Sequence, residues 1–278
     1  MGNPLVTVAI PSRNKSDFLR KAIESVLAQT FTEYKLIIID NNSEISIKDI
    51  IEEFSDARIS YYHIDSAEYN GIIGGWNKAI SLCDTKYLNI FHDDDYMLPG
   101  FLKRSISVLE NNDKIAFSFP NLFKADQNLK PLELWSKVHP EEGLISGQDY
   151  LKYIFNHECC ITLSPSVVMR HNIYKKVGEF KDFLCFNSFD FNMWLRIAKD
   201  FDVYCIEEPL MLWRVHEGQM SNEYWWSHKK AKGKIATMVE MLYALSYLKN
   251  ADAEYIKGKS ASFSKSLSEH TRFLIKDL

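Results

Sequence analysis

Four short, β-rich apolar runs occupy the first third of the chain, and each is separated from the next by residues at helical spacing. Leu5-Val6-Thr7-Val8-Ala9-Ile10 ends at Pro11-Ser12-Arg13-Asn14. The run is too short for a helix and Pro11 cuts it, so it predicts a buried strand. Ser16 or Asp17 then caps a helix with Phe18, Leu19, Ala22, Ile23, Val26 and Leu27 on one face. Tyr34 to Ile39 predicts the second strand, ending at Asp40-Asn41-Asn42-Ser43, and Ile47, Ile50, Ile51 and Phe54 line a second helix. Arg58 to Ile64 is the third strand. Asn70-Gly71 and Gly74-Gly75 predict a flexible loop before a helix from about Trp76 to Leu82, and Tyr87 to Phe91 is the fourth strand. Strands alternating with helices dictate an α/β fold: a mostly parallel sheet built by right-handed crossovers and flanked by helices.

In such sheets ligands bind beyond the carboxyl ends of the strands. Those ends carry Pro11-Ser12-Arg13-Asn14, Asp40-Asn41-Asn42 and, after the fourth strand, His92-Asp93-Asp94-Asp95. Three adjacent acids repel one another unless a cation or hydrogen-bond donors sit among them. A hard divalent ion such as Mg²⁺ or Mn²⁺ needs one or two carboxylates when substrate phosphates supply the rest. The same acids also read as a turn leading into a helix opened by Pro99, because acids favour a helix N-terminus. On these residues alone the two readings balance. Three polar strand ends in succession, with the acids last, tip the balance towards a nucleotide site. The chain has no GxGxxG after the first strand and no GxxxxGK[ST], so phosphate charge must be met by a metal and by side chains.

The second half is less regular. Lys114 to Phe119 predicts a strand, and Ser146-Gly147-Gln148-Asp149 resembles a capping box for a helix through Phe155. Thr162 to Met169 predicts a strand interrupted by Pro165. After Asn187-Ser188-Phe189-Asp190, the residues Met193, Trp194, Ile197 and Ala198 line a helix face. Val203 to Ile206 is a short strand before Glu207-Glu208-Pro209, and Leu212-Trp213-Arg214-Val215-His216 follows.

These pieces together resemble the GT-A fold glycosyltransferases, specifically the inverting family 2, over roughly residues 5 to 220. Each piece is weak alone, and six in the family's order are specific. The resemblance implies a Rossmann-like GT-A catalytic domain over residues 1–220, with a nucleotide-sugar half over about 1–120 and an acceptor half over about 121–220. It also implies a nucleotide-diphosphate sugar donor, a divalent ion (Mn²⁺ or Mg²⁺) held by the aspartate motif, and a single displacement that inverts the anomeric carbon. Carried over residue by residue, Pro11, Arg13 and Asp40 fall where the family holds the nucleoside, with Asp40 towards the base. Asn77 matches the Asn that starts the third helix, and Trp76 stands where many members carry Arg. Asp93 and Asp95 fit an Asp-x-Asp motif, while Asp93 and Asp94 fit Asp-Asp. Counting back from Pro99 favours Asp94 as the direct metal ligand, with Asp95 beside it, and leaves Asp93 on the nucleotide-sugar side. His92 replaces an acid often found there. Asp190 matches the catalytic base, behind Phe189 where Glu is common. Arg214 and His216 match the elements that approach the diphosphate, and His216 is also a candidate metal ligand. The bland alternatives are a helix cap for Asp190 and a core or surface histidine for His216.

Such a reaction fits these residue types. Charge develops on phosphate oxygens, which a divalent ion and a guanidinium stabilise, and the attacking hydroxyl needs a carboxylate base. Two rival readings are a sugar-nucleotide nucleotidyltransferase, which usually has a Gly-rich basic loop after the first strand, and a non-catalytic nucleotide-sugar binding module, which would lack the base.

Residues 221–278 form an extension beyond the family core. Trp225-Trp226 precede His228, Lys229, Lys230, Lys232 and Lys234, and Ile235, Met238, Val239, Leu242 and Leu245 then recur at helical spacing. This segment reads as a helix packed on the catalytic domain, as a peripheral contact with an anionic membrane that carries a lipid-linked acceptor, or as a homodimer contact. The last stretch, from Ala251, predicts more helix. The acceptor is expected to be a glycan or a lipid-linked glycan. The net charge of −4 has no basic excess that would suggest nucleic acid. Five cysteines without CxxC spacing read as reduced thiols of a cytosolic protein, with His157 beside Cys159-Cys160 as a weak zinc alternative. No signal pattern and no apolar run of about 18 residues is visible, so the expected location is cytoplasmic or at the inner membrane face.

Overall fold

The structure is a computed structural model that describes residues 3–14, 16–44, 46–64, 71–135, 138–181, 189–219 and 228–276. Asn70, Cys185, Asn187, Ser188, Trp225 and Trp226 lie outside the described residues. The chain divides into two compact units. The first comprises Met1–Ile145, Ile161–Glu179 and Asp202–Val215; the second comprises Ser146–Cys160, Phe180–Phe201 and His216–Leu278.

The first unit holds a mixed sheet that has ten strands among the described residues. β1 (Val6–Ser12), β2 (Tyr34–Asn41), β3 (Ile59–Ile64) and β4 (Tyr87–Ile90) run parallel in the spatial order β3-β2-β1-β4. Their crossovers are α1 (Ser16–Leu27), α2 (Lys48–Glu52) and α3 (Gly71–Leu82). β5 (Tyr96–Met97) leads into α4 (Phe101–Asn111). β6 (Ile115–Ala125) is followed by β7 (Pro131–Leu134), β8 (Gly143–Ile145) and β9 (Val168–Arg170). α6 (His171–Val177) follows β9, and β10 (Asp202–Arg214) completes the sheet. β9 runs antiparallel between β4 and β6, and β5 runs antiparallel to β10. One core lies between the sheet and α1, α2 and α4; Val8, Ile10, Leu19, Ile23, Phe101 and Leu109 are among its fully buried members.

Three local expectations are corrected. Gly71, Gly74 and Gly75 lie inside α3 rather than in a loop, so the helix starts five residues before Trp76. A Cβ on Gly75 would stand 3.1 Å from Cβ of Pro11, a tight contact that glycine avoids where this helix crosses the end of β1. The second correction is β10, which runs through Glu207-Glu208-Pro209 as one long strand. It absorbs Pro209 with register shifts against β6 on either side of it. Thirdly, the expected strand from Thr162 becomes a 3₁₀ turn at Ser164–Ser166 followed by β9.

The second unit is helical: α5 (Gly147–His157), α7 (Phe189–Ala198), α8 (His228–Ala244) and α9 (Ala253–Lys276). Ser146 caps α5 as expected, its Oγ accepting the Asp149 amide at 3.1 Å. α8 buries Met238 as expected, together with Glu240, Met241 and Ala244, while Ile235, Val239 and Leu242 are half-buried. Glu240 and Tyr247 partly offset the burial that lowers the pKa of Arg196 on α7. α9 sets Phe263, fully buried, edge-on against Phe155 of α5 with ring centroids 5.9 Å apart. Cys83, Cys159, Cys160 and Cys205 take part in no disulfide among the described residues, and burial pushes Cys205 up to about 12. Among the described residues no helix is long and apolar enough to cross a membrane.

Candidate functional site

The carboxyl ends of β1, β2 and β4 are tied together by side chains that the polar loops supply. Ser12 Oγ at the end of β1 donates to Oδ2 of Asp93 at 2.6 Å. Asn14 takes a positive φ of 59°, as Asn tolerates better than most residues, and its Oδ1 accepts the Glu44 amide. Asn41 Nδ2 donates to the Gly71 carbonyl at 2.7 Å and fixes the start of α3. Pro11 is half-buried beneath α3, Arg13 is exposed in the turn after β1, and Asn77 is half-buried on α3 beside Trp76.

Asp40 is 1% exposed and sits in register with Ser12 on one side and His63 on the other. It accepts the Ser43 amide at 2.9 Å and the Tyr61 hydroxyl at 2.8 Å, with His63 Nδ1 at 3.5 Å. Burial would raise its pKa, but the hydrogen bonds from Ser43, Tyr61 and His63 outweigh it and hold the carboxyl below its ordinary value. Burial, with the same bond adding to it, pushes the Tyr61 hydroxyl up to about 12.

Asp93, Asp94 and Asp95 are all buried. Asp95 Oδ1 accepts the backbone amide of Arg214 at 3.0 Å, and its Oδ2 lies 3.6 Å from His92 Nδ1. His92 is flanked by Trp76, with ring centroids 5.4 Å apart and planes tilted by 33°. Arg214 is 2% exposed; its guanidinium lies 4.4 Å from the centroid of Phe18, and Nη1 donates to the Gln127 carbonyl at 3.3 Å. Nε and Nη2 of Arg214 are buried with no hydrogen-bond partner among the described residues. Burial pulls its pKa down, and the Asp95 and Asp94 carboxylates oppose that. A guanidinium with two unused buried donors, beside a cluster of carboxylates, suits an anion bound together with a cation.

The donor set fits a divalent ion. Among the described residues, His92, Asp94 and Asp95 form the group whose ligand atoms all lie within 4.8 Å of one another. His216 is not in that group and falls in the second unit, as does Asp190. Asp190 stands half-buried in the first turn of α7, its Oδ1 accepting the next amide at 2.7 Å. Phe189, the residue before it, is buried with its ring edge-on to Phe180, so an apolar contact occupies the position where an acid is common.

Sequence reading selected the strand-end residues but missed the partners. Ser12, Tyr61 and His63 were on polar or alternating positions without a signal of their own. In the sequence His92 is a substitution and Trp76 a departure; no local pattern shows that the two touch.

A family model described as Glycosyl transferase family 2 matches residues 7–177. The chain is similar to an uncharacterized glycosyltransferase of Methanocaldococcus jannaschii, 29% identical over 218 residues that cover 77% of this chain and 72% of that protein. It is also similar to the GalNAc(5)-diNAcBac-PP-undecaprenol β-1,3-glucosyltransferase of Campylobacter jejuni, 25% identical over 76% of this chain and 65% of that one. In fold it resembles residues 1–349 of S. aureus TarS, crystallised with UDP-GlcNAc. The TM-score is 0.68 at 15% identity, covering 96% of this chain and 71% of that one.

Proposed function

The chain belongs to glycosyl transferase family 2, and from that premise we propose that it is a metal-dependent, inverting transferase that moves a sugar from a nucleotide-diphosphate donor to a hydroxyl of a glycan or lipid-linked acceptor. The observation that carries this reading is the convergence of Ser12, Asp93, Asp94, Asp95, His92 and Arg214 on one buried polar centre at the carboxyl ends of the strands. Relatives that assemble undecaprenol-linked glycans support a role in polysaccharide or glycoconjugate assembly.

In this reading residues 1–120 hold the donor and residues 121–220 receive the acceptor. Pro11, Arg13 and Asp40 hold the nucleoside, and the charged Asp40 carboxylate accepts an N–H of the base. Asn77 borders the donor from α3, and Asp93 orients the sugar side. Asp94 and Asp95 hold the divalent ion, with His216 a further candidate; Mn²⁺ or Mg²⁺ screens the diphosphate charge when bound. Arg214 neutralises the charge that grows on the leaving phosphate. Asp190 takes the proton of the attacking hydroxyl as the bond to the anomeric carbon forms, on the face opposite the departing nucleoside diphosphate, so the configuration inverts.

Neither rival reading, nucleotidyltransferase or binding module, has an observation in its favour. The Trp225–Lys234 segment is proposed to meet anionic lipid, because aromatic residues beside lysines suit that interface; co-sedimentation with anionic and neutral vesicles checks it. The central experiment is calorimetric titration of UDP, GDP and dTDP with Mn²⁺ and with EDTA. At least one nucleotide should bind with Mn²⁺ and lose that affinity in EDTA; equal affinity in both would remove the metal from the reading.

A further inference from the structure

We propose that His92 supplies an imidazole ligand to the metal of the aspartate cluster, which makes this site a mixed nitrogen–oxygen centre that favours Co²⁺ and Mn²⁺ over Mg²⁺. The proposal rests on the metal-dependent reading above. A histidine within reach of two buried carboxylates adds a nitrogen donor to a site otherwise lined by oxygen.

Three observations support it. The ligand atoms of His92, Asp94 and Asp95 lie within 4.8 Å of one another, and His92 Nδ1 is 3.6 Å from Asp95 Oδ2. Ligand atoms sharing one ion through bonds of about 2.1 Å stand about 3 to 4 Å apart, so this pair is already spaced to share one. The His92 ring is not loose. Trp76, 5% exposed, flanks it at 5.4 Å, and Trp76 is carried on the stretch of α3 that Gly75 brings close to Pro11. Asp95, in turn, is fixed by the Arg214 amide through Oδ1, which leaves the Oδ2 edge towards His92. An arginine at position 76 would set a positive charge beside the histidine and compete with a cation; an indole adds no charge.

The consequence is a change in metal preference. Mg²⁺ demands hard oxygen ligands, whereas imidazole nitrogen binds progressively better along the series from Mn²⁺ to Co²⁺. Trp76 acts through His92 and is a positioning residue.

The test uses the full chain, stripped of metal and loaded with Mn²⁺ and whichever of UDP, GDP or dTDP binds. Pulsed electron paramagnetic resonance of the bound Mn²⁺ should show nitrogen coupling in the wild type and in His216→Ala, and lose it in His92→Asp. In parallel calorimetry, His92→Asp should bind Mg²⁺ more tightly and its Co²⁺-to-Mg²⁺ affinity ratio should fall by about tenfold or more. Thermal melting confirms that the variants fold. Bound Mn²⁺ without nitrogen coupling in the wild type overturns the inference while leaving the metal-dependent reading intact. Coupling that survives His92→Asp and vanishes in His216→Ala overturns it in favour of the other histidine. No uptake of Mn²⁺ with any of the three nucleotides overturns both.

Discussion

The backbone amide of Arg214 donates to Asp95 Oδ1 at 3.0 Å, across 119 residues of chain. One strand end therefore orders an acid of the proposed metal group and delivers a guanidinium beside it. The antiparallel pairing of Met211 and Leu212 with Met97 and Tyr96 sets up that contact.

Because the contact to Asp95 uses the Arg214 amide, Arg214→Gln should leave Asp95 in place while removing the guanidinium, both its charge and its donors. A charge-assisted hydrogen bond contributes about 1.5–3 kcal/mol, so the Kd of the nucleoside diphosphate with Mn²⁺ should rise by roughly 10- to 100-fold. Calorimetry reads it. An unchanged Kd would mean that the guanidinium serves only its contacts within the protein, with Phe18 and the Gln127 carbonyl.

Asp94→Asn and Asp190→Asn should fail in opposite ways. The first should weaken metal-dependent nucleotide binding. The second keeps the shape of the side chain, removes the proton acceptor and should lower the transfer rate by about 10²- to 10⁴-fold with little change in nucleotide Kd. Rates and Kd values for both variants decide the assignment. If Asp190→Asn transfers sugar at near wild-type rate, the base lies elsewhere and Asp190 is a helix cap.

Asp40 should make stability depend on acid pH. Its folded pKa lies below the ordinary value, so as pH falls the unfolded chain takes up this proton first. The stabilisation is present above the unfolded pKa of about 3.9 and is lost as pH falls through the folded value. The melting-temperature gap between wild type and Asp40→Asn should hold steady above about pH 5 and narrow below about pH 4. A gap that stays constant to the acid limit would show that Asp40 is not charged in the fold.

Two glycines should respond with opposite signs. A Cβ at Gly147 would stand 2.1 Å from the Ala198 carbonyl oxygen and 2.4 Å from that of Phe201, so Gly147→Ala forces α5 away from its backbone neighbours. The cost should reach or exceed the upper end of the about 1–3 kcal/mol typical of overpacking. Gly258 on α9 has nothing within 4 Å of that position, and Gly258→Ala should stabilise by up to about 1 kcal/mol. Urea unfolding of both variants measures the difference; equal effects would contradict the geometry at Gly147.

The alternation of β1 to β4 with α1 to α3, the polar clusters at their carboxyl ends and the Ser146 cap were legible in the sequence because each depends on residues a few positions apart. Periodicity, a proline stop and a capping hydroxyl are local signals. What joins those clusters is not local. Ser12 reaches Asp93 across 81 residues and Arg214 reaches Asp95 across 119. Trp76 meets His92 only because α3 and the end of β4 are brought side by side. The same holds for two misread elements. Gly74-Gly75 has loop propensity, yet it lies inside α3, at the point where Gly75 passes close to Pro11. Glu207-Glu208-Pro209 has the composition of a break, and pairing with β6 carries β10 through it. Composition and spacing chose the kinds of residue at the strand ends; the sheet's strand order chose which of them touch, because side-chain contacts depend on neighbours in space that no local pattern encodes.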